Sequence, residues 1–359
     1  YSNHPVQHRQ SSKCEEQHRI HRSSDGRGTG ARSQRDYRRP ATGKLGKLLI
    51  QAHHELHNHR RTCPLVAATG HNSGGAPRTL ENGRSLFMGE IRQMLPPFMV
   101  DGVNSAEVFL SNMDYAQVSA AVITQEFIDG IQNDYLKEVA TRYPDRFFVC
   151  GMCEFRKPGY FKQAEQLIDN NFKAIKIPAH RLLLKEGRVM LNCEEMMQMF
   201  GLMEERNIIL SIDLAEGSTQ IAEMEEIIAQ YPRLKIAIGH FGMVTLPEWK
   251  QQILLARHPN VMIESGGITW LFNEEFYPFK GAVKAIREAA DLVGMEKLMW
   301  GSDYPRTITA ITYKMSYDFI TKSPELTESE KALFLGENAR NFYGFSNLRT
   351  LPYIKNMSE

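Results

Sequence analysis

The sequence predicts an α/β protein of the (β/α)8 barrel class, and three observations carry that prediction. Eight short aliphatic runs recur between residues 48 and 300, and amphipathic helical stretches separate most of them. Several runs are apolar at nearly every position, as expected for parallel strands covered on both faces. Ionisable residues follow many of the runs directly, at the ends where a parallel barrel gathers its chemistry. A barrel takes about 250 residues, so a chain of this length places its surplus in loops and fits a barrel better than an open doubly wound sheet.

The strands are expected at Leu48–Ala52, Val118–Thr124, Phe147–Cys153, Ala174–Ile177, Ile208–Leu214, Lys235–Ile238, Val261–Ile263 and Leu298–Trp300. Helical periodicity is read over Asp134–Thr141, Tyr160–Asp169, Glu194–Glu205, Ser218–Ala229, Phe279–Leu292 and Ile308–Thr321. Turn and cap signals divide them: Arg142-Tyr-Pro-Asp145, Gly217-Ser218, Tyr231-Pro232 and His258-Pro-Asn260. The stretch Asn58–Ala116 is the long insertion after the first strand, and its Leu95-Pro-Pro-Phe98 and Ser105–Met113 pieces suggest a partly helical cap. Residues 47–345 are thus assigned to the barrel and 346–359 to a C-terminal tail.

The chain has 359 residues, 42% of them hydrophobic, with 43 Lys+Arg against 42 Asp+Glu. Near-zero net charge excludes nucleic-acid binding through bulk charge. No apolar run approaches the roughly 18 residues that span a bilayer, and no apolar signal-peptide core opens the chain. Five cysteines read as reduced thiols rather than a disulfide framework, which points to a soluble cytoplasmic protein. Cys150 and Cys153 have C-x-x-C spacing but lie within a strand, where alternation sends the thiols to opposite faces.

Residues 1–46 stand apart. They hold ten Lys/Arg and four Asp/Glu, with Val6, Ile20 and Leu45 as their large aliphatics. Such a segment buries too little apolar surface to offset its ordering entropy. It is expected to be a disordered or non-native basic extension; no aromatic interleaving or DNA-binding motif supports a nucleic-acid arm.

The strand ends form a pattern. The first strand runs into His53-His-Glu55, the fourth carries Lys176, and the fifth ends in Asp213. The sixth ends in Gly239-His240, the seventh in Glu264, and the eighth leads to Asp303-Tyr-Pro-Arg306. An ionisable group at the end of an apolar strand is costly without a partner, a metal or water, and so many such ends around one axis are hard to explain as packing. By the period of two, His53 and Glu55 share a face at the first strand's end.

These residues carry a resemblance. Leu49-Ile-Gln-Ala-His-His-Glu55, Ile238-Gly-His-Phe-Gly242, Leu298-Met-Trp-Gly-Ser-Asp-Tyr-Pro305 and Gly336-Glu-Asn-Ala-Arg-Asn-Phe-Tyr-Gly344 resemble the first-, sixth- and eighth-strand and closing-helix motifs of the amidohydrolase-related family. The likeness covers about residues 47–345 and implies a barrel hydrolase or decarboxylase, lactonases included. It implies a metal set of His53, Glu55, Asp213, His240 and Asp303, with a divalent Zn, Mn or Mg ion; a metal-free site is the alternative. Gln51, Glu55 and Asp213 depart from the family's usual Asp, His and His. So many carboxylates favour harder ions than zinc.

Asp303 and His240 are the catalytic candidates: a rigid carboxylate to activate water, and an imidazole to polarise a carbonyl or ligate the ion. The bland readings are a turn residue and a core histidine. Lys176 and Arg306 offer cationic heads for a substrate carboxylate or an oxyanion; equally, Lys176 pairs with Asp213 inside the barrel. Trp270, with Phe272 and Phe276, is read as a wall of the substrate pocket. The expected activity is hydrolysis of a lactone or other cyclic ester or amide by an activated water. Non-oxidative decarboxylation and a catalytically inactive barrel are the alternatives. The expected partner is a small-molecule substrate rather than a membrane or nucleic acid, and homo-oligomer formation stays open.

Overall fold

Strand pairing in the computed structural model runs parallel around a ring. The model describes residues 47–52, 78–87, 89–100, 104–183, 187–353, 355 and 357, all within the compact unit Lys44–Glu359. The strands, in chain order, are β1 (Lys47–Ala52), β2 (Arg78–Thr79), β3 (Arg84–Phe87), β4 (Glu90–Gln93), β5 (Val118–Ile123), β6 (Phe147–Val149) and β7 (Gly151–Met152). Then follow β8 (Ala174–Ile177), β9 (Ile209–Ile212), β10 (Ile236–Ile238), β11 (Val261–Glu264), β12 (Leu298–Met299) and β13 (Gly301–Tyr304). One sheet has the order β13-β1-β5-β6 and another β12-β11-β10-β9-β8-β7. β6 and β7 are one strand interrupted at Cys150, and β12 and β13 one strand interrupted at Trp300. Joined at those points, the order returns to β1, which pairs in parallel with both β5 and β13. This is the eight-stranded (β/α)8 barrel.

The strands form where β-branched and aliphatic residues cluster, and their alternation splits the apolar residues into two sets. Ile175, Ile177, Leu210, Ile212, Ile236, Ile238, Val261 and Ile263 face outward into the large core beneath the helices. Ala120, Val122, Cys150, Ala174, Ile209, Ala237, Met262 and Met299 form a separate inner cluster. Cys150 lies in the inner set and Cys153 in the outer one, as alternation requires.

Helices α1 (Ala106–Tyr115), α2 (Asn133–Arg142), α3 (Tyr160–Asp169), α4 (Glu194–Glu205), α5 (Ile221–Gln230) and α6 (Trp249–Leu254) cover the outside. They are followed by α7 (Ile268–Leu271), α8 (Lys280–Val293), α9 (Met315–Lys322), α10 (Glu328–Ala332) and α11 (Asn338–Tyr343). α8 shows why they do so: Ala282, Val283, Ala285, Ile286, Ala289 and Ala290 make one buried stripe at helical spacing. Four of these six are alanines, small enough to let the helix lie close on the barrel.

The closing segment has a defined task. A π-helical turn at Leu333–Glu337 turns the Phe334 carbonyl to accept from the Trp300 backbone N–H at 2.8 Å, at the break in the eighth strand. Asn338 donates to the carbonyls of Met295 and Leu298, both at 2.8 Å. Ala339 and Tyr343 then plug the inner apolar cluster from below.

Two expectations are corrected in detail. The piece read as one helix, Ile308–Thr321, is a 3-10 turn at Arg306–Thr309 followed by α9, with Thr312 and Tyr313 turning the chain between them. In the insertion, the Ser105–Met113 piece is helical as expected, in α1, whereas Leu95–Phe98 is a turn, and β2-β3-β4 add an antiparallel three-stranded sheet. The predicted extension 1–46 and the piece 58–77 of the insertion lie outside the described residues, as do His53 and Glu55.

Candidate active site

One step along the strands from the inner apolar cluster, the same inward alternation presents polar groups. Lys176 follows Ala174 on β8, Ser211 and Asp213 follow Ile209, Gly239 follows Ala237, and Glu264 follows Met262. Lys176 is fully buried and Asp213 and Glu264 are almost so. They sit where strands of a parallel barrel end; the turn after β10 adds His240, and β13 itself adds Asp303.

Three groups form a line. Lys176 Nζ donates to Asp213 Oδ1 at 2.5 Å, and His240 Nε2 lies 3.5 Å from Asp213 Oδ2. His240 Nδ1 faces the Gly266 carbonyl at 3.1 Å, which fixes the ring. Burial opposes charge on this imidazole, but Asp213, Asp303 and Glu264 together outweigh it and raise its pKa to about 9. His240 therefore carries a proton on both nitrogens at neutral pH. Its side chain keeps 18% of its surface exposed, the open member of an otherwise enclosed group.

Glycine at position 239 makes the packing possible. A Cβ there would collide with Asp213 Oδ1 and lie 3.2 Å from Glu264 Oε2, so the two carboxyl groups close over the bare backbone. Glu264 Oε1 has no hydrogen-bond partner among the described residues. Burial pushes the Glu264 carboxyl up to about 8, against the pull of His240 and Lys176. Glu264 is thereby neutral at pH 7.

Asp303 is buried, and its Oδ2 accepts from Trp270 Nε1 at 2.7 Å. The Trp270 and His240 rings meet edge to face at 6.4 Å. Arg306 lays its guanidinium over the Trp270 ring, 4.0 Å from the centroid. His240 (φ 62°) and Asp303 (φ 54°) both occupy the left-handed backbone region, which costs a non-glycine residue about 1–3 kcal/mol. Such strain persists only where surrounding structure holds it, and here it aims two titratable groups at one rim.

Of the residues singled out from sequence, Asp213, His240, Asp303, Trp270 and Arg306 come together at the mouth. Lys176 belongs to the same group but lies beneath it: with no exposed surface and its ammonium held by Asp213, it does not present its head to the mouth. Its ion pair with Asp213 is the arrangement the structure adopts. Two participants were not singled out. Glu264 was visible only as one more strand end. His180 follows β8 and its backbone N–H donates to the Asp213 carbonyl at 3.1 Å; burial drives its pKa down to about 4, so it is a neutral imidazole. The signal for it was Pro178-Ala-His180 directly after the fourth strand.

The described residues do not fit a metal centre. No three His, Cys, Asp or Glu side chains among them converge to hold an ion. Both oxygens of Asp213 are already engaged, by Lys176 and by His240, and His53 and Glu55 of the implied metal set lie outside the described residues.

The sequence model of the amidohydrolase family matches residues 50–345. No curated protein sequence matches significantly. Among solved structures, a probable 2-pyrone-4,6-dicarboxylic acid hydrolase from Acinetobacter baumannii, determined with citric acid bound, aligns with TM-score 0.59 at 16% identity, covering 84% of this chain and 100% of its own. A 2,6-dihydroxybenzoate decarboxylase from Rhizobium aligns with TM-score 0.57 at 12% identity, over 84% of this chain and 99% of that one. An amidohydrolase from Burkholderia multivorans with bound zinc aligns with TM-score 0.56 at 16% identity, over 68% and 89%. At these identities the likeness to the solved structures concerns the barrel.

Proposed function

Because this chain belongs to the amidohydrolase family, we propose that it is a hydrolase that opens a lactone or another cyclic ester at the barrel mouth. The observation that carries the reading is the pairing of a charged, partly exposed imidazole, His240, with a buried and indole-oriented carboxylate, Asp303, on one rim. The coarser alternatives within such barrels are hydrolysis and decarboxylation, and the neighbours' names include both.

Ester hydrolysis needs a base for water and a positive group where negative charge develops. Asp303 accepts a proton from water as the water oxygen attacks the carbonyl carbon. His240 donates a hydrogen bond to the carbonyl oxygen as it becomes an oxyanion. Asp213, 3.5 Å from Nε2, stabilises the imidazolium electrostatically, and the ring exchanges that contact for the developing oxyanion. As the intermediate collapses, the ring C–O bond breaks and the proton on Asp303 passes to the departing oxygen. The product is a hydroxy acid. Trp270 holds Asp303 in place throughout, and Lys176 holds Asp213 in position behind His240.

The test is a panel of cyclic esters followed in parallel by acid release and by carbon dioxide release, with the wild-type protein and the Asp303→Asn variant. Acid release that depends on Asp303 is the expected result. Carbon dioxide without net acid from a carboxylated aromatic would replace hydrolysis by decarboxylation. Turnover of neither kind of substrate would leave an inert barrel.

A further inference from the structure

Arg306 occupies a position that the hydrolytic steps do not use. Other arginines near the mouth or on the barrel flank are spoken for: Arg181 binds Glu126 at 2.8 Å, Arg156 binds Glu154 at 2.6 Å, and Arg188 binds Glu223. Arg306 is exposed, and among the described residues its guanidinium forms no ion pair; its contact is the indole of Trp270, 4.0 Å away.

That contact is rigidly linked to the reacting groups. Trp270 is anchored by its 2.7 Å bond to Asp303. The indole also needs the space that Gly267 leaves empty, since a Cβ at that position, with φ at 75°, would run into Trp270 Nε1. An arginine stacked on an aromatic face spends the face of its guanidinium and keeps its in-plane N–H groups free. Those groups form a fork that matches a carboxylate, a match that a lysine cannot reproduce. A surface arginine with no role would not be expected on a platform hydrogen-bonded to the carboxylate that activates water.

We infer that Arg306 is the specificity-determining residue of the mouth, gripping a carboxylate that the substrate carries beside its scissile ring. The substrate class is then a cyclic ester bearing an anionic substituent. This rests on the hydrolase reading for the scissile bond, but the anion site itself does not require it.

Two readouts separate the site from the chemistry. The first is binding, followed by tryptophan fluorescence, of benzoate and its uncharged isostere benzamide to wild-type protein, Arg306→Gln, Arg306→Lys and Asp303→Asn. Benzoate is expected to bind the wild type at least 10-fold more tightly than benzamide. Arg306→Gln should lose about 10- to 100-fold in benzoate affinity, the range of a charge-assisted hydrogen bond, and Arg306→Lys should recover only part. Equal binding of both probes to the wild type, or a preference that survives in Arg306→Gln, would overturn the inference. The second is hydrolysis of 2-pyrone-5-carboxylate against unsubstituted 2-pyrone. The wild type should prefer the carboxylate through KM, and Arg306→Gln should bring the ratio near one. A benzoate preference dependent on Arg306 in a protein that hydrolyses no cyclic ester would support the anion site and sink the hydrolase reading.

Discussion

The inside of this barrel has two storeys on the same strands. The lower one, with Ala174, Ile209, Ala237, Met262 and Met299 above the plug of Tyr343, is wholly apolar apart from the Cys150 thiol. The upper one, two residues further along, holds Lys176, Ser211, Asp213 and Glu264, joined by His240 from the turn after β10 and Asp303 from β13. Alternation sends both storeys inward, so it decides only that a residue is inside. The lower storey contributes burial free energy, at roughly 25 cal/mol per Å² of apolar surface. The upper one costs desolvation, offset by pairs such as Lys176 with Asp213. Stability and chemistry are thus separated along the strand axis rather than between domains.

The sharpest way to break that comparison is to silence the upper storey without touching the lower. Asp303→Asn keeps the shape and the acceptor for Trp270 but removes the base. Turnover should fall about 10²–10⁴-fold, the scale of general base catalysis, while the melting temperature stays level or rises. Turnover that survives in the Asn variant would move the chemistry away from this carboxylate.

A second experiment asks whether the upper storey can be turned into the lower. Lys176→Met leaves Asp213 as an uncompensated charge and should cost about 3–5 kcal/mol in urea unfolding. Adding Asp213→Leu removes that charge and should return most of the loss. The double variant should still be inactive, because His240 has lost the carboxylate that keeps it protonated. A single variant that costs under about 1 kcal/mol would mean that the pair is wet and worth no more than a surface ion pair.

The converse is to damage the lower storey alone. Met299→Ala opens a cavity next to Met262 and Ala339 and should cost about 3 kcal/mol, within the range for large-to-small core substitutions. Specific activity of the folded fraction should stay within a few-fold of wild type. A loss of activity matching Asp303→Asn would show that the storeys are coupled through the strands.

How much of this was legible in the sequence follows from the same separation. Apolar runs at regular spacing announced the strands, because parallel strands buried on both faces have no polar positions to confuse the pattern. Asp213, His240 and Asp303 stood out because a charge at the end of such a run needs a reason. Glu264 had the same signature, but only the structure shows its Oε1 buried without a partner beside Gly239. The direction of Lys176 could not be read either: a lysine at a strand end serves equally as an anion receptor or as a buried counter-ion, and only distance decides. The breaks at Cys150 and Trp300, and the left-handed turns at His240 and Asp303, are set by tertiary context with no glycine at those positions to mark them.

The smallest expected effect is also the most specific to the upper storey: a slope in stability with pH. In the folded protein His240 holds its proton up to about 9, against 6.5 for an ordinary imidazole. The stability this adds is complete below pH 6.5 and is lost as pH rises through 9. Glu264 acts with the same sign for the opposite electrostatic reason. Burial lifts its pKa from 4.5 to about 8, so the folded state again binds the proton more tightly than the unfolded chain. Its contribution is complete below pH 4.5 and is lost as pH rises through 8. Melting temperature should therefore decline steadily between pH 6 and 9. Glu264→Gln should lessen the slope below pH 8 and leave the decline that His240 contributes from pH 6.5 upward, shifted to lower pH because the Glu264 carboxylate no longer supports the imidazolium. Over the same upper range kcat/KM for a cyclic ester should fall as the imidazolium is lost. A melting temperature that climbs with pH across this interval would show that these two groups do not hold their protons in the folded barrel, and the imidazole would then have to act on substrate in its neutral form.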